Sequence, residues 1–425
     1  MLTTRPRGTS DILPEEVWKW RRVETVLNET AALYGYSEIR LPVFEHTELF
    51  QRGIGDATDV VEKEMYTFMD RGGKKSLTLR PEGTAGAARA YLEHKLTSWP
   101  KPVKLYYMGS MFRYDRPQAG RYREFHQFGV ENLGLTDPAV DAETVALAYD
   151  ICRRLGLRNL KIRLNSVGCP QCRGAYREKL RAFLRPVLGE LCETCRNRFE
   201  RNPMRILDCK NDACRALTQG APAVGESLCE DCASHFQEVR NHLDRMGAPY
   251  ELDPSLVRGL DYYTRTAFEI ETADLGAQSS VCGGGRYDHL IKDLGGPETP
   301  GMGFALGLER LILIMEAQNL FVQPAGGCDV FVAALGLRAA YEASALIQEL
   351  RGMGLAAERD YQAKGLKSQM KAADRLGAKV VLILGEDELS RGEIVYRRMD
   401  ESAQETLSVE AALGRLEEVK GAAEK

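Results

Sequence analysis

Met111–Gly129 reads MFRYDRPQAGRYREFHQFG, and it sets four arginines, Arg113, Arg116, Arg121 and Arg123, on either side of a Pro-Gln-Ala-Gly turn. The run leading into it, VKLYYMGSMFRY, alternates and is rich in β-formers, so two antiparallel strands joined by a polar loop are expected. Such a hairpin aims several guanidiniums at one place. Planar, fixed-charge forks on a rigid scaffold suit a triphosphate, and an aromatic such as Phe125 can stack on a purine. A solvated hairpin with surface arginines is the plain alternative that composition alone allows.

On both sides of this segment the pattern stays mixed. WKWRRVETVLNETAALYGY repeats Trp18, Val23, Val26, Leu27 and Leu33 at helical intervals, whereas SEIRLPVF, KSLTLR and TAFEIET read as short strands bounded by turn residues. TAFEIET is followed by a glycine-rich stretch read as a turn, and GMGFALGLERLILIMEAQ as a glycine-entered strand running into a buried helix. FVQPAGG, with Pro324, Gly326 and Gly327, is the linker candidate. Beyond it CDVFVAAL, AAYEASALIQELRGMG, SQMKAADRLGA and KVVLILG alternate strand and helix, which implies a small α/β domain with a mostly parallel sheet.

The 425 residues allow two to three domains, and 44% hydrophobic content is ordinary for a protein with several cores. A net charge of -4 excludes a globally basic nucleic-acid binder, so any polyanion must meet local clusters. MLTTRPRGTSDILPEE has no apolar core of the signal-peptide kind, and no run approaches the roughly 18 apolar residues of a membrane span. A cytoplasmic location without membrane contact is the expectation. No phosphate-cradling loop is present. GAPAVGES from Gly220 carries Glu226 where a P-loop needs lysine, and GMGFALG from Gly301 misses the dinucleotide fingerprint by one residue. Side chains must therefore hold any nucleotide phosphates.

These segments carry a resemblance. Met111–Gly129 resembles motif 2 of class II aminoacyl-tRNA synthetases, GMGFALGLER resembles motif 3, and EIRLPVFEHTELF, with Pro42, resembles the subunit-contact motif 1. RPRGTSDILPEE, TLRPEGTAGAARAY, LVRGLDYYT and VCGGGRYD, in this order, resemble signatures of the histidyl-tRNA synthetase family, and the likeness spans nearly the whole chain. The implied architecture is an α/β chain with an α+β catalytic core, in which helices flank an antiparallel sheet. Residues 1–325 would form this core, interrupted by a helical, cysteine-rich insertion over 167–246, and 326–425 an α/β anticodon-binding domain. The implied activity is activation of histidine with ATP and Mg2+, then its transfer to the 3′ end of tRNA(His), by a homodimer.

Residue by residue, the resemblance gives Arg113 and Arg258 the catalytic roles at the α-phosphate and the histidine carboxylate. Arg121, Arg123, Phe125 and Arg310 complete the ATP site. Glu82, Thr84 and Gln127 match the positions around the α-ammonium, and Glu131, Tyr262 and Tyr263 those around the imidazole. Arg116 and Gln118 match the loop that meets the tRNA acceptor end. Asp115 stands where glutamate is more usual in class II. Gly283, Gly284 and Gly285 either let the backbone pass close to a ligand or form a tight turn. Lys364, Lys367, Lys371 and Arg375, at three- and four-residue spacing, would form a basic stripe on one helix for tRNA phosphates, or a solvated face. The competing reading is the non-catalytic, synthetase-like regulatory subunit of ATP phosphoribosyltransferase, which generally lacks the terminal domain and LVRGLDYYT.

Eight of eleven cysteines fall between Cys169 and Cys232. Cys169, Cys172, Cys192 and Cys195 form a CxxC-x19-CxxC pattern suited to a four-thiolate zinc site, and Cys209, Cys214, Cys229 and Cys232 form a less regular second set. At least one structural zinc is expected, against the alternative of reduced, packed thiols. Cys152, Cys282 and Cys328 are isolated and read as core residues or bystanders near the site.

Overall fold

The computed structural model describes residues 3–55, 58, 60–118, 120–207, 209, 211–257, 262–272, 280–322, 327–401 and 403–423. The chain divides into two compact units, Met1–Phe321 and Val322–Lys425. Pro324 and Gly326 of the linker candidate lie outside the described residues.

The first unit is built on an eight-stranded sheet. In spatial order its strands are Ser37–Glu38, Val103–Phe112, Glu124–Leu133, Gly301–Gly307, Ser280–Arg286, Thr264–Thr272, Leu160–Ser166 and Tyr250–Leu252. The six middle strands pair antiparallel, and only the two short edge strands pair parallel with their neighbours. Strand side chains alternate between faces, and the two faces here have different work. Tyr106, Phe128, Val130, Phe268, Ile270, Phe304 and Leu306 point into the main core. Helices Pro14–Leu33 and Leu308–Ala317 cover that face with Val23, Leu27, Leu311 and Met315. Leu33, one of the periodic positions, is instead 67% exposed, because it falls on the last helical residue beyond the sheet's cover. The opposite face carries Tyr107, Gln127, Glu131, Glu269 and Glu271, which line a cavity.

The glycine-rich stretch is not a turn. Gly283, Gly284 and Gly285 lie within the strand Ser280–Arg286, in register with Ala305, Phe304 and Gly303 on one side. A turn was one of the two readings because glycine is unusual in a strand interior, yet close neighbours require it here, and Gly283 lines the cavity. A Cβ on Gly284 would stand 2.2 Å from the Gly303 carbonyl.

Between Leu160–Ser166 and Tyr250–Leu252 the chain makes helices Pro170–Leu184, Glu193–Arg201, Asp212–Leu217 and Glu230–Met246. The first three share a small core of Tyr176, Leu180, Leu184, Leu191, Phe199, Ile206 and Val224. Glu230–Met246 behaves differently. Its Val239 and Leu243 enter the main core, and it links two parallel strands, the connection that such a pair needs.

The second unit has a five-stranded sheet in the order Ala357–Arg359, Val330–Ala334, Val380–Leu384, Glu393–Arg398 and Gln404–Ser408. Its first three strands are parallel, as the alternating pattern implies. The last two add antiparallel pairs, so the sheet is mixed. Helix Leu337–Gly352 packs Ala343, Leu346 and Leu350 on one face, and Leu366–Arg375 packs Ala373 on the other. Among the described residues, no helix is long and apolar enough to cross a membrane.

Candidate active site

The cavity on the open sheet face has a volume of about 920 Å³. Its walls bring together Glu82, Thr84, Arg113, Gln118, Arg121, Phe125, Gln127, Glu131, Tyr262, Tyr263 and Arg310, although these lie more than two hundred residues apart at the extremes. Arg258 lies outside the described residues. Arg116 and Arg123 do not line the cavity: Arg116 is exposed on the loop, and the Arg123 guanidinium lies 4.1 Å from the centre of the Tyr114 ring.

Arg113 follows directly on the strand Val103–Phe112. Its Nε donates to the Pro81 carbonyl at 2.9 Å, and its guanidinium sits 5.3 Å from the centre of the Phe125 ring. Burial pushes its pKa down, Glu64 and Glu82 oppose the shift, and Arg121 adds to it. Arg310 occupies the first turn of helix Leu308–Ala317 and donates from Nη1 to the Ser280 carbonyl at 3.1 Å. Its pKa is likewise lowered by burial and then by Arg121. Arg121 pairs with Asp115, the acid where the class carries glutamate. Three guanidiniums therefore face one space and feel each other's repulsion, an arrangement that an anion with several charges relieves.

The loop bearing Arg121 is anchored from a distant part of the chain. The Gly8 carbonyl accepts from the Arg123 backbone N–H at 2.8 Å and from that of Glu124 at 3.3 Å. Gly8 has φ +90°, and a Cβ there would stand 2.8 Å from the Arg123 side chain.

At the other end of the cavity Glu131 is only 1% exposed. The Tyr107 hydroxyl donates to its Oε1 at 3.1 Å and the Tyr287 hydroxyl to its Oε2. Desolvation pushes this carboxyl up to about 8, with the two tyrosines and Thr84 opposing and Glu82 adding to the rise. The strand pairing explains how a carboxylate fits between sheet neighbours. Gly303 is the register partner of Glu131, and a Cβ there would stand 2.3 Å from Glu131 Oε2. The Tyr262 ring lies tilted at 4.7 Å from that of Tyr263 and edge-on at 5.7 Å from that of Tyr287, giving the pocket an aromatic wall.

Glu82 caps helix Thr84–Glu93: its carboxylate accepts from the backbone N–H of Thr84 at 2.7 Å and of Ala85 at 2.9 Å. Burial raises its pKa while these bonds and Arg113 oppose the rise. Gln127 Oε1 is buried in the cavity wall and, among the described residues, has no hydrogen-bond partner. An orphaned acceptor in a ligand-sized cavity marks a place where a donor belongs. Glu269 and Glu271 project from one face of their strand into the same space. Burial and then Glu269, among like charges, raise the Glu271 carboxyl, while Arg163 opposes. Glu269 and Glu271 thus add two hard oxygen donors, the ligand type a divalent cation takes, to a cavity that arginines also line.

Tyr107 and Tyr287, the two donors to Glu131, were not singled out from the sequence. Tyr287 stands in VCGGGRYD beside the recognised glycines, whereas Tyr107 looks like any strand aromatic until its register is known.

The cysteines group otherwise than their order suggests. Cys169 and Cys172 meet Cys229 and Cys232, and Cys192 and Cys195 meet Cys209 and Cys214. The expected set of the first four is thus corrected. Adjacent CxxC pairs are separated by helix Pro170–Leu184, which carries the chain across the small core before the next pair begins. Cys152 and Cys328 are buried singly in the core, and Cys282, also buried, lines the cavity.

In the second unit Lys367, Lys371 and Arg375 are exposed along helix Leu366–Arg375 at four-residue intervals. Lys364 precedes the helix, because Gly365 is its N-cap, so the stripe has three members on the helix.

Residues 8–311 match the family model described as histidyl-tRNA synthetase, and residues 329–419 match the anticodon binding domain. The chain is 57% identical over 409 residues to the histidine–tRNA ligase of Desulforamulus reducens, covering 96% of this chain and 97% of that protein. It is also 57% identical to the enzyme of that name from Moorella thermoacetica, with 97% of each covered. The crystal structure of apo S. aureus histidyl-tRNA synthetase superposes with a TM-score of 0.83 at 41% identity, covering 98% of this chain and all of that one.

Proposed function

The chain belongs to the histidyl-tRNA synthetase family, and from that premise we propose how its cavity carries out histidine–tRNA ligation. The enzyme activates L-histidine with ATP to histidyl-adenylate and pyrophosphate, then transfers histidine to the 3′ end of its tRNA. The regulatory-subunit reading leaves the anticodon-binding match at 329–419 unexplained.

Arg113 bridges the histidine carboxylate and the α-phosphate, so that one carboxylate oxygen attacks phosphorus in line as pyrophosphate departs. Charge grows on the phosphoryl oxygens at that moment, and a guanidinium already fixed by Pro81 stabilises it without reorganising. Arg258, at the position matched in LVRGLDYYT, shares this role. Arg310 and Arg121 hold the γ-phosphate end, Phe125 supports the adenine, and Arg123, stacked on Tyr114, stiffens the loop. Magnesium supplies further charge neutralisation of the triphosphate, with Glu269 and Glu271 as its protein donors.

Histidine enters with its α-ammonium toward Glu82, Thr84 and Gln127, whose Oε1 then gains a donor. Its imidazole lies against Tyr262 and Tyr263 with a ring N–H on Glu131. An amino acid lacking that N–H leaves the buried Glu131 with only its two tyrosine donors and no partner from the substrate, a penalty that polar pockets convert to rejection of about 10⁴-fold. Arg116 and Gln118 on the loop meet the tRNA acceptor end, and Lys367, Lys371 and Arg375 meet phosphates near the anticodon.

Exposed Val43 and Phe44 of the Pro42 motif and Phe68 and Met69 lie at or beside a three-stranded sheet of Phe44–His46, Ser76–Leu79 and Tyr66–Met69, and support a homodimer contact there. The family chemistry and eleven cysteines that form no disulfide support a cytoplasmic setting. The cysteine-rich insertion carries structural zinc.

The observation that carries this reading is the convergence of Arg113, Arg121 and Arg310 on one cavity whose far end holds the buried Glu131. ATP–pyrophosphate exchange driven by each amino acid in turn tests it, with Arg258→Ala alongside. Exchange with histidine alone, lost in the variant, is expected; exchange with several amino acids, or equally without histidine, refutes the assignment.

A further inference from the structure

The insertion holds two sulfur clusters, each containing four cysteines whose sulfurs all lie within 4.8 Å of one another. In the outer cluster Cys169 Sγ is 3.5 Å from Cys172 Sγ and 4.0 Å from Cys229 Sγ. In the inner one Cys192 Sγ is 3.9 Å from Cys209 Sγ. Sulfurs on a tetrahedral zinc ion, with bonds of about 2.3 Å, stand about 3.8 Å apart. Disulfide sulfurs stand about 2.05 Å apart, and thiolates on an iron–sulfur cube are spread much wider. The spacing fits one ion at the centre of each cluster.

The backbone prepares both sites for anionic sulfur. Cys169, Cys192 and Cys229 are the N-caps of helices Pro170–Leu184, Glu193–Arg201 and Glu230–Met246, and none uses its side chain as a cap. Their CxxC partners sit at the third helical position, so each pair presents two sulfurs at the positive end of a helix dipole. The Cys229 N–H donates to Cys172 Sγ at 3.1 Å, and the Cys192 N–H to Cys214 Sγ at 3.2 Å. Packed neutral thiols need neither arrangement.

We propose, extending the zinc reading above, that the insertion binds two zinc ions, one held by Cys169, Cys172, Cys229 and Cys232, the other by Cys192, Cys195, Cys209 and Cys214. The sites are nested in sequence. The inner four all fall between the two halves of the outer set, so the outer ion closes the base of the module where the chain leaves and re-enters the catalytic unit. The inner ion fastens helix Glu193–Arg201 to the segment carrying Cys209 and Cys214. Thr194 and Arg198 of that helix, with Cys192, Cys209 and Asn211, line the catalytic cavity. The inner metal thus builds part of the cavity wall, while the outer one holds the module to the sheet. A core as small as this one gains most from such staples.

The test is elemental analysis of the full-length enzyme purified without chelator. Two zinc per chain are expected in the wild type, and about one in each of Cys169→Ser/Cys229→Ser and Cys192→Ser/Cys209→Ser. A wild-type content near one, with loss confined to one variant, overturns the two-site proposal and leaves zinc in the insertion standing. A content near zero, or iron in its place, overturns both. Since either variant can fail to fold, cobalt(II) titration of chelator-stripped wild-type protein provides the second measurement. Two equivalents with sulfur-to-cobalt charge transfer and strong tetrahedral d–d bands are expected, and saturation at one equivalent overturns the proposal.

Discussion

Replacing Glu131 with glutamine removes a titratable carboxyl from the cavity wall while keeping the size of a buried side chain. In the ligand-free protein this carboxyl is pushed up to about 8, above its ordinary 4.5, mainly by desolvation. A carboxyl with a raised folded-state pKa contributes stability that is complete below its unfolded value and is lost as pH climbs through the folded one. The window therefore runs from about pH 4.5 to 8, and the contribution across it is at most about 5 kcal/mol. Glutamine does not titrate. Wild-type protein should lose thermal stability relative to Glu131→Gln as pH rises through that window. Activity should move the other way. Losing a charge-assisted bond to imidazole costs about 1.5–3 kcal/mol, which is about a 10- to 150-fold drop in kcat/KM for histidine. Pyrophosphate exchange read against histidine concentration, together with melting curves from pH 5 to 9, measures both. The reasoning is refuted if the variant stays within about threefold of wild type in exchange, or if the two stability profiles run parallel.

Gly303→Ala would drive a methyl into Glu131 Oε2 and the Val130 carbonyl, and a loss of about 2–3 kcal/mol in chemical denaturation, with histidine activation abolished, is expected. Arg113→Lys keeps a charge but loses the planar fork, so kcat for exchange should fall by about 100-fold or more with histidine binding by calorimetry less affected. Arg310→Ala should raise the KM for ATP by about tenfold or more while leaving the KM for histidine near wild type. Changing Lys367, Lys371 and Arg375 together to alanine should raise the KM for tRNA and flatten its salt dependence, leaving pyrophosphate exchange unchanged.

The antiparallel core was legible because Val103–Phe112 is rich in β-formers and is separated from Glu124–Leu133 by a polar Pro-Gln-Ala-Gly turn, the local signature of a hairpin. Strand alternation was masked in Ser280–Arg286, where glycines on the cavity side left nothing to alternate. Gln404–Ser408 was missed for another reason. It is a mostly exposed edge strand whose place is fixed by its partner Glu393–Arg398 rather than by its own residues. Most residues named from the motifs do come to one cavity, but the environment of Glu131 could not be read from them. Its clamp comes from Tyr107 and Tyr287, which reach it only once register and folding bring three strand segments together. Thiol grouping failed on similar grounds: spacing tells which cysteines share a knuckle, not which knuckles meet.

The bond between Gly8 and the Arg123 backbone turns the first dozen residues into a brace for a nucleotide-handling loop more than a hundred positions away. Shortening the chain from its front, or crowding Gly8 with a bulky fusion partner, should thus be felt first as slack in triphosphate capture, long before any change in melting temperature. The leading segment is better thought of as a detached finger of the arginine-bearing loop.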